Sequence, residues 1–135
     1  MSIESALYDR LAAAAGLTAL VSTRIYPLQA PQGDTTPYVV WQRIGGRRVG
    51  HLAGASGVAL ATFQVSCYAT TFLAARAVAD QVRHALNGYN GTQSGQVIRV
   101  ISVAVDRDDI DFSEPATPLF RAITDYLVPH EEATS

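Results

Sequence analysis

The sequence predicts an α+β domain: a mainly antiparallel β-sheet of about four to five strands with two α-helices packed on one face. Three observations carry this. Segments 3–14 and 72–86 repeat apolar residues at helical spacing. Segments 38–43, 58–68, 96–105 and 119–128 are rich in β-branched and aromatic residues, as strands are. At 135 residues, 48% of them hydrophobic, the chain suffices for one core and one domain.

The elements follow in order. Ser2 can cap a first helix, with Glu4 in its first turn and Ile3, Leu7, Leu11 and Ala14 on one stripe. Gly16 is a natural stop, and Leu17 to Val21 adds one short turn. Ile25 to Pro27 reads as a brief extended piece. Pro27, Pro31, Gly33 and Pro37 make 27–37 a loop. Tyr38 to Arg43 is a strand. Gly45, Gly46, Gly50, Gly54 and Gly57 mark 45–57 as a flexible excursion. Val58 to Tyr68 is a long strand with Ala59, Ala61, Phe63, Val65 and Cys67 facing inward. Thr70 or Thr71 caps the second helix, whose buried stripe is Phe72, Ala75, Val78 or Ala79, Val82 and Leu86. Arg76 and Asp80 form an i,i+4 pair on its other side. Asn87-Gly88 ends it, and Asn90-Gly91 makes a turn. Two more strands follow, Gln96 to Val105 and Leu119 to Val128, joined by an acidic connector from Asp106 to Ser113.

Several function classes are excluded or disfavoured. A single cysteine, Cys67, rules out a disulfide scaffold. No apolar run approaches the length of a membrane helix, and Glu4 and Asp9 stand where a signal peptide would be basic. The chain therefore reads as cytoplasmic. A net charge of −2 disfavours a strongly basic nucleic-acid binder. All ten basic residues are arginine, which fits either protein contacts or genomic base composition. The glycine stretch lacks the lysine of a phosphate loop. His51, His84 and His130 have no metal-ligand spacing. Asp106, Asp108, Asp109 and Asp111 crowd the connector, but Ile110 breaks the spacing of a calcium loop. Cys67 alternates with Phe63 and Val65 and reads as a packed thiol. No metal or other cofactor is expected.

The order of the linear pattern is informative. Ala6-Leu7-Tyr8 and Leu17-Thr18-Ala19-Leu20-Val21 precede Arg24-Ile25-Tyr26-Pro27. Ala30-Pro31-Gln32-Gly33 and Pro37-Tyr38-Val39-Val40 follow, then Phe63-Gln64-Val65 with Cys67-Tyr68-Ala69 before an Ala-rich helix. The chain closes with the acidic stretch, Glu114-Pro115 and Asp125-Tyr126. Over nearly its whole length it resembles the tail-completion, or tail-terminator, family of long-tailed bacteriophages, prophages and gene transfer agents. The resemblance implies a structural virion protein without catalytic residues or cofactors. Such a subunit forms a ring, typically a hexamer, that caps the head-proximal end of the tail tube. Its implied partners are further copies of itself, the major tail tube protein and the head-completion or connector protein. DNA passes through the lumen without specific binding, and no membrane is involved. The implied location is the host cytoplasm during assembly and then the neck of the virion. Residues 1–135 would form one such domain, with the glycine-rich loop at 45–57 and a short disordered C-terminal tail.

Two other classes stay open on the residues alone. One is a small nucleic-acid-binding module using Arg43, Arg47 and Arg48. The other is a small enzyme with its site at Cys67 or the acidic connector. A closed ring needs two different patches on each subunit. The candidates are the acidic residues Asp106, Asp108, Asp109 and Asp111 on one side. Arg47, Arg48 and Arg76 are candidates for the other, and His51 in the glycine stretch is a further interface candidate.

Overall fold

The structure is a computed structural model that describes residues 3–28, 36–48, 58–93, 96–111 and 119–131. Among the described residues it has three helices and seven strands. These are α1 (Ile3–Ala12), α2 (Ala15–Val21), β1 (Ile25–Pro27), β2 (Tyr38–Arg48), β3 (Val58–Ala69) and α3 (Phe72–Leu86). The chain continues through β4 (Gly91–Gln93), β5 (Gln96–Ile98), β6 (Ser102–Asp111) and β7 (Leu119–Glu131). All strands join one sheet in the order β1-β2-β3-β7-β5-β4, with β6 also paired to β7. The sheet is antiparallel except for β1 against β2.

The α+β class and the mainly antiparallel sheet stand as expected; the element counts do not. Leu17 to Val21 belongs to a separate helix, and Gly16 lies inside that helix rather than stopping the first. The segment 96–105 is two strands, because regular pairing with β7 lapses at 99–101, between Ile98 opposite His130 and Ser102 opposite Leu127; there Arg99 N–H bonds to the Pro129 carbonyl and Ile101 N–H to the Tyr89 carbonyl. Asp106 to Asp111 is not a connector: it is the second half of β6, paired with β7 from Thr124 to Leu119. Strand β2 runs through Gly45 and Gly46 to Arg48, with a bulge at Ile44 that shifts its register against β3. The rest of the predicted excursion, 49–57, lies outside the described residues. So do Ser2 and residues 132–135 of the predicted tail, whereas His130 is buried in β7.

The core lies between the helices and one face of the sheet. β3 turns Ala59, Ala61, Phe63, Val65, Cys67 and Ala69 inward, all buried; this alternation was predicted from the sequence. They meet Val39 and Trp41 of β2 and Ala122, Tyr126 and Val128 of β7. Leu7 and Leu11 of α1, Leu17 of α2, and Val78, Val82 and Leu86 of α3 close the layer. Phe72, expected on the buried stripe of α3, is 46% exposed; Ala85 is buried instead. Of the two proposed caps, Thr71 is the one used, accepting a hydrogen bond from Ala74 N–H at 3.1 Å. Asn87 caps the other end, and Gly88 follows with φ +80°, a conformation that strains residues with a Cβ.

Candidate assembly surface

Helix α3 lies along the sheet and places its charged flank over β6. Arg76 Nη1 donates to Asp108 Oδ1 at 2.9 Å and to Asp106 Oδ1 at 3.3 Å, while Nη2 donates to Asp106 Oδ2 at 3.3 Å. Thr124 on β7 donates its hydroxyl to Asp106 Oδ1 at 3.3 Å. Hydrogen bonds to Asp106 and Asp108 hold the guanidinium well above its ordinary pKa range, against the opposing effect of burial. The expected Arg76–Asp80 helix pair is replaced: Asp80 accepts from Arg83 at 3.3 Å, and Arg76 reaches across to the strand. Two groups assigned to opposite patches of neighbouring subunits thus meet inside one subunit.

Below this clamp sit Cys67 and Tyr126. Cys67 is fully buried, and desolvation pushes its thiol from 9.0 up to about 12, the charge of Arg76 lowering it less than burial raises it. A thiol so placed stays protonated at neutral pH and is a poor nucleophile. Burial likewise raises the Tyr126 phenol above its ordinary range. The grouping of Arg, Asp, Cys and Tyr is a packed corner of the fold with a charged lid.

The other predicted residues are dispersed. In register, Asp109 stands opposite Arg121 and Asp111 opposite Leu119 on β7. Arg47 and Arg48 end β2 opposite Leu60 and Ala59. His51 lies outside the described residues. Arg43, a candidate for nucleic acid, pairs with Glu4 at 3.7 Å and bonds to the Gly45 carbonyl at 3.3 Å.

Two surfaces were missed by sequence reasoning. One is the sheet face away from the helices. Tyr38 and Tyr68 stack there at 4.9 Å between ring centroids, Tyr26 meets Tyr38 edge-on at 6.3 Å, and the Arg121 guanidinium lies 5.9 Å from the Tyr68 ring. Gln42 bonds to Gln64, and Arg107 pairs with Asp125 on the same face. These side chains bury Val40, Ser66 and Ile123 on a face that no described helix covers. The available signal was the outward phase of Tyr38 and Tyr68 at the ends of paired strands. The other is a cleft of about 320 Å³ between the α1–α2 corner and α3, lined by Arg10, Gly16, Gln81 and His84 among others. It depends on residues some 75 positions apart in sequence, such as Arg10 and Ala85, and left no local signal.

Taken together, the chain is a two-layer α+β subunit whose charged and aromatic groups are organised at its surface. Residues 5–130 match the model of the family described as tail completion protein gp17. The chain belongs to that family, and is a structural protein of phage-type tails. Among solved structures, a chain of "Virion of native gene transfer agent (GTA) particle" has the same fold, with a TM-score of 0.74 and 24% identity over 97% of this chain and 96% of that one. No curated protein gives a significant match.

Proposed function

We propose that the protein is a ring-forming tail terminator, which caps the head-proximal end of the tail tube and joins it to the head connector. The family match over residues 5–130 carries this reading. The fold shared with a chain of a gene transfer agent virion over nearly its whole length supports it. A hexamer is the expected ring, with the major tail tube protein on one side and the connector protein on the other. DNA crosses the lumen without specific contacts. In keeping with that, Arg43 is engaged by Glu4 and Gly45 of its own subunit. The subunit is made in the host cytoplasm and ends in the neck of the virion. No helix among the described residues is long and apolar enough to cross a membrane.

The test is deletion of this gene from a producing strain, followed by electron microscopy of the lysate. Filled heads and unjoined tails should accumulate, and the gene supplied in trans should restore joined particles. Intact particles in the deletion strain would overturn the proposal.

A further inference from the structure

We propose that the cleft between the α1–α2 corner and α3 is a carboxylate-binding site, and that its ligand is the acidic strand β6 of a second copy of this chain. This rests on the ring reading and specifies one contact of it.

The site is built around Arg10. Its Nε–H donates to the Ala85 carbonyl at 2.8 Å, and its guanidinium carbon lies 3.8 Å from the centre of the Tyr89 ring. These contacts fix the guanidinium plane and leave its terminal N–H groups for a ligand. Arg43, Arg76, Arg83, Arg99 and Arg107 each have a carboxylate partner. Arg10 has none among the described residues, though it is half-buried. The carbonyl and the ring offset part of its desolvation but leave the charge of the guanidinium unneutralised. Its planar fork fits the two oxygens of a carboxylate.

Gln81 and His84, one turn apart on α3, add an amide and an imidazole to the same cleft. Gly16 makes room for the Gln81 side chain: a Cβ there would fall 2.2 Å from Gln81 Oε1. The cleft therefore sets an amide and an imidazole beside one fixed cation. It is too small and holds too few cations to track a nucleic-acid backbone, which calls for a row of basic groups. An acidic side chain from a protein is the better fit.

This chain carries such a segment. Strand β6 concentrates four aspartates in six residues, Asp106 to Asp111. It is paired to β7 along one edge. Asp106 and Asp108 bond to Arg76, while Asp109 and Asp111 occupy the alternate register positions. Through Arg76, β6 lies against one flank of α3. The cleft is on the other flank, at Gln81 and Ala85. Asp106 and Asp108 are taken by Arg76, and register positions 109 and 111 alternate away from α3, so the aspartates of β6 cannot serve the cleft of their own subunit. Cleft and strand suit the head-to-tail contact that closes a cyclic ring.

Because Cys67 is the sole cysteine and is buried, introduced thiols can report the contact cleanly. Ala13→Cys at the rim of the cleft and Phe112→Cys beside Asp111, in chains mixed and mildly oxidised, should form a mixed cross-link that neither forms alone. Adding Arg10→Gln to the Ala13→Cys chain should lower the yield about tenfold, the equivalent of one charge-assisted hydrogen bond. Thermal melts check that the variant is folded; should it not be, Gln81→Glu, which opposes the ligand's charge, replaces it. Light scattering of the wild-type chain reads the ring separately. Rings without the cross-link overturn this inference and leave the ring standing. The cross-link in particles no larger than a dimer supports the site and overturns the ring. Monomers with no cross-link overturn both. Anisotropy of a labelled DNA duplex supplies the remaining arm: binding lost in Arg10→Gln, with no cross-link, would assign the cleft to phosphate and overturn the proposal.

Discussion

Arg76→Ala separates a clamp within the subunit from a contact between subunits. Arg76 holds two carboxylates, and its side chain is 24% exposed against 40% for Asp106 and 45% for Asp108. A pair this wet is worth a few tenths to one kcal/mol after screening, so two pairs give about 0.5–2 kcal/mol. Losing the contacts of the aliphatic stem adds to this. The 3–5 kcal/mol of a broken buried ion pair is not expected, because the aspartates left behind reach water. Urea denaturation of dilute monomer should show the loss, and Asp108→Ala in an Arg76→Ala background should cost less than it does alone. Raising sodium chloride to about 1 M should shrink the effect, as the screening length falls to roughly 3 Å. An unchanged unfolding midpoint in the monomer, with assembly lost, would refute the reasoning. Arg76 would then act between subunits, as the sequence suggested.

Phe63, fully buried against Trp41 with ring centroids 6.2 Å apart, should cost about 3–5 kcal/mol on replacement by alanine, read as a loss of folded protein on thermal melting. Thr71→Ala removes the cap on α3 and should cost about 1 kcal/mol in the same assay. Cys67 should resist an aromatic disulfide reagent in native protein and react at once in urea; fast native labelling would show the thiol to be accessible.

The sequence made legible what depends on local periodicity. The inward set of β3, a threonine cap at 70 or 71, the stop at Asn87-Gly88 and the packed state of Cys67 all follow from alternation, spacing or turn chemistry. The acidic stretch misled because aspartate is depleted in strands. Its strand state is imposed by register with β7 and by Arg76 from above, both non-local. Gly45 and Gly46 misled likewise: glycine weakens a strand, yet here pairing with Thr62 and Ala61 carries β2 past its bulge. Among the proposed site residues, arginine and aspartate were recognised as complementary, but whether they meet in one subunit or between two is not written in composition. Arg10 drew no attention because a helical arginine is ordinarily solvated. Only the tertiary contact with Ala85 and Tyr89 sets it apart.

The buried thiol offers a last test, through linkage between ionisation and folding. The pKa of Cys67 is raised from 9.0 to about 12 in the fold, so between those values the unfolded chain loses a proton that the folded chain keeps. The unfolded state then binds fewer protons, and stability must fall as pH rises. The fall begins near pH 9 and has a slope of up to about 1.4 kcal/mol per pH unit from this group. Tyr126, also raised by burial, steepens it further at higher pH. Cys67→Ala removes the first contribution. The variant should start somewhat less stable at pH 7, from the small cavity, and lose less between pH 9 and pH 11. The two stability curves should therefore converge as pH rises. Parallel curves across that range would mean that the thiol ionises as readily in the fold as in the unfolded chain. Cys67 would then have access to water, and the packed corner beneath the Arg76 clamp would have to open in solution.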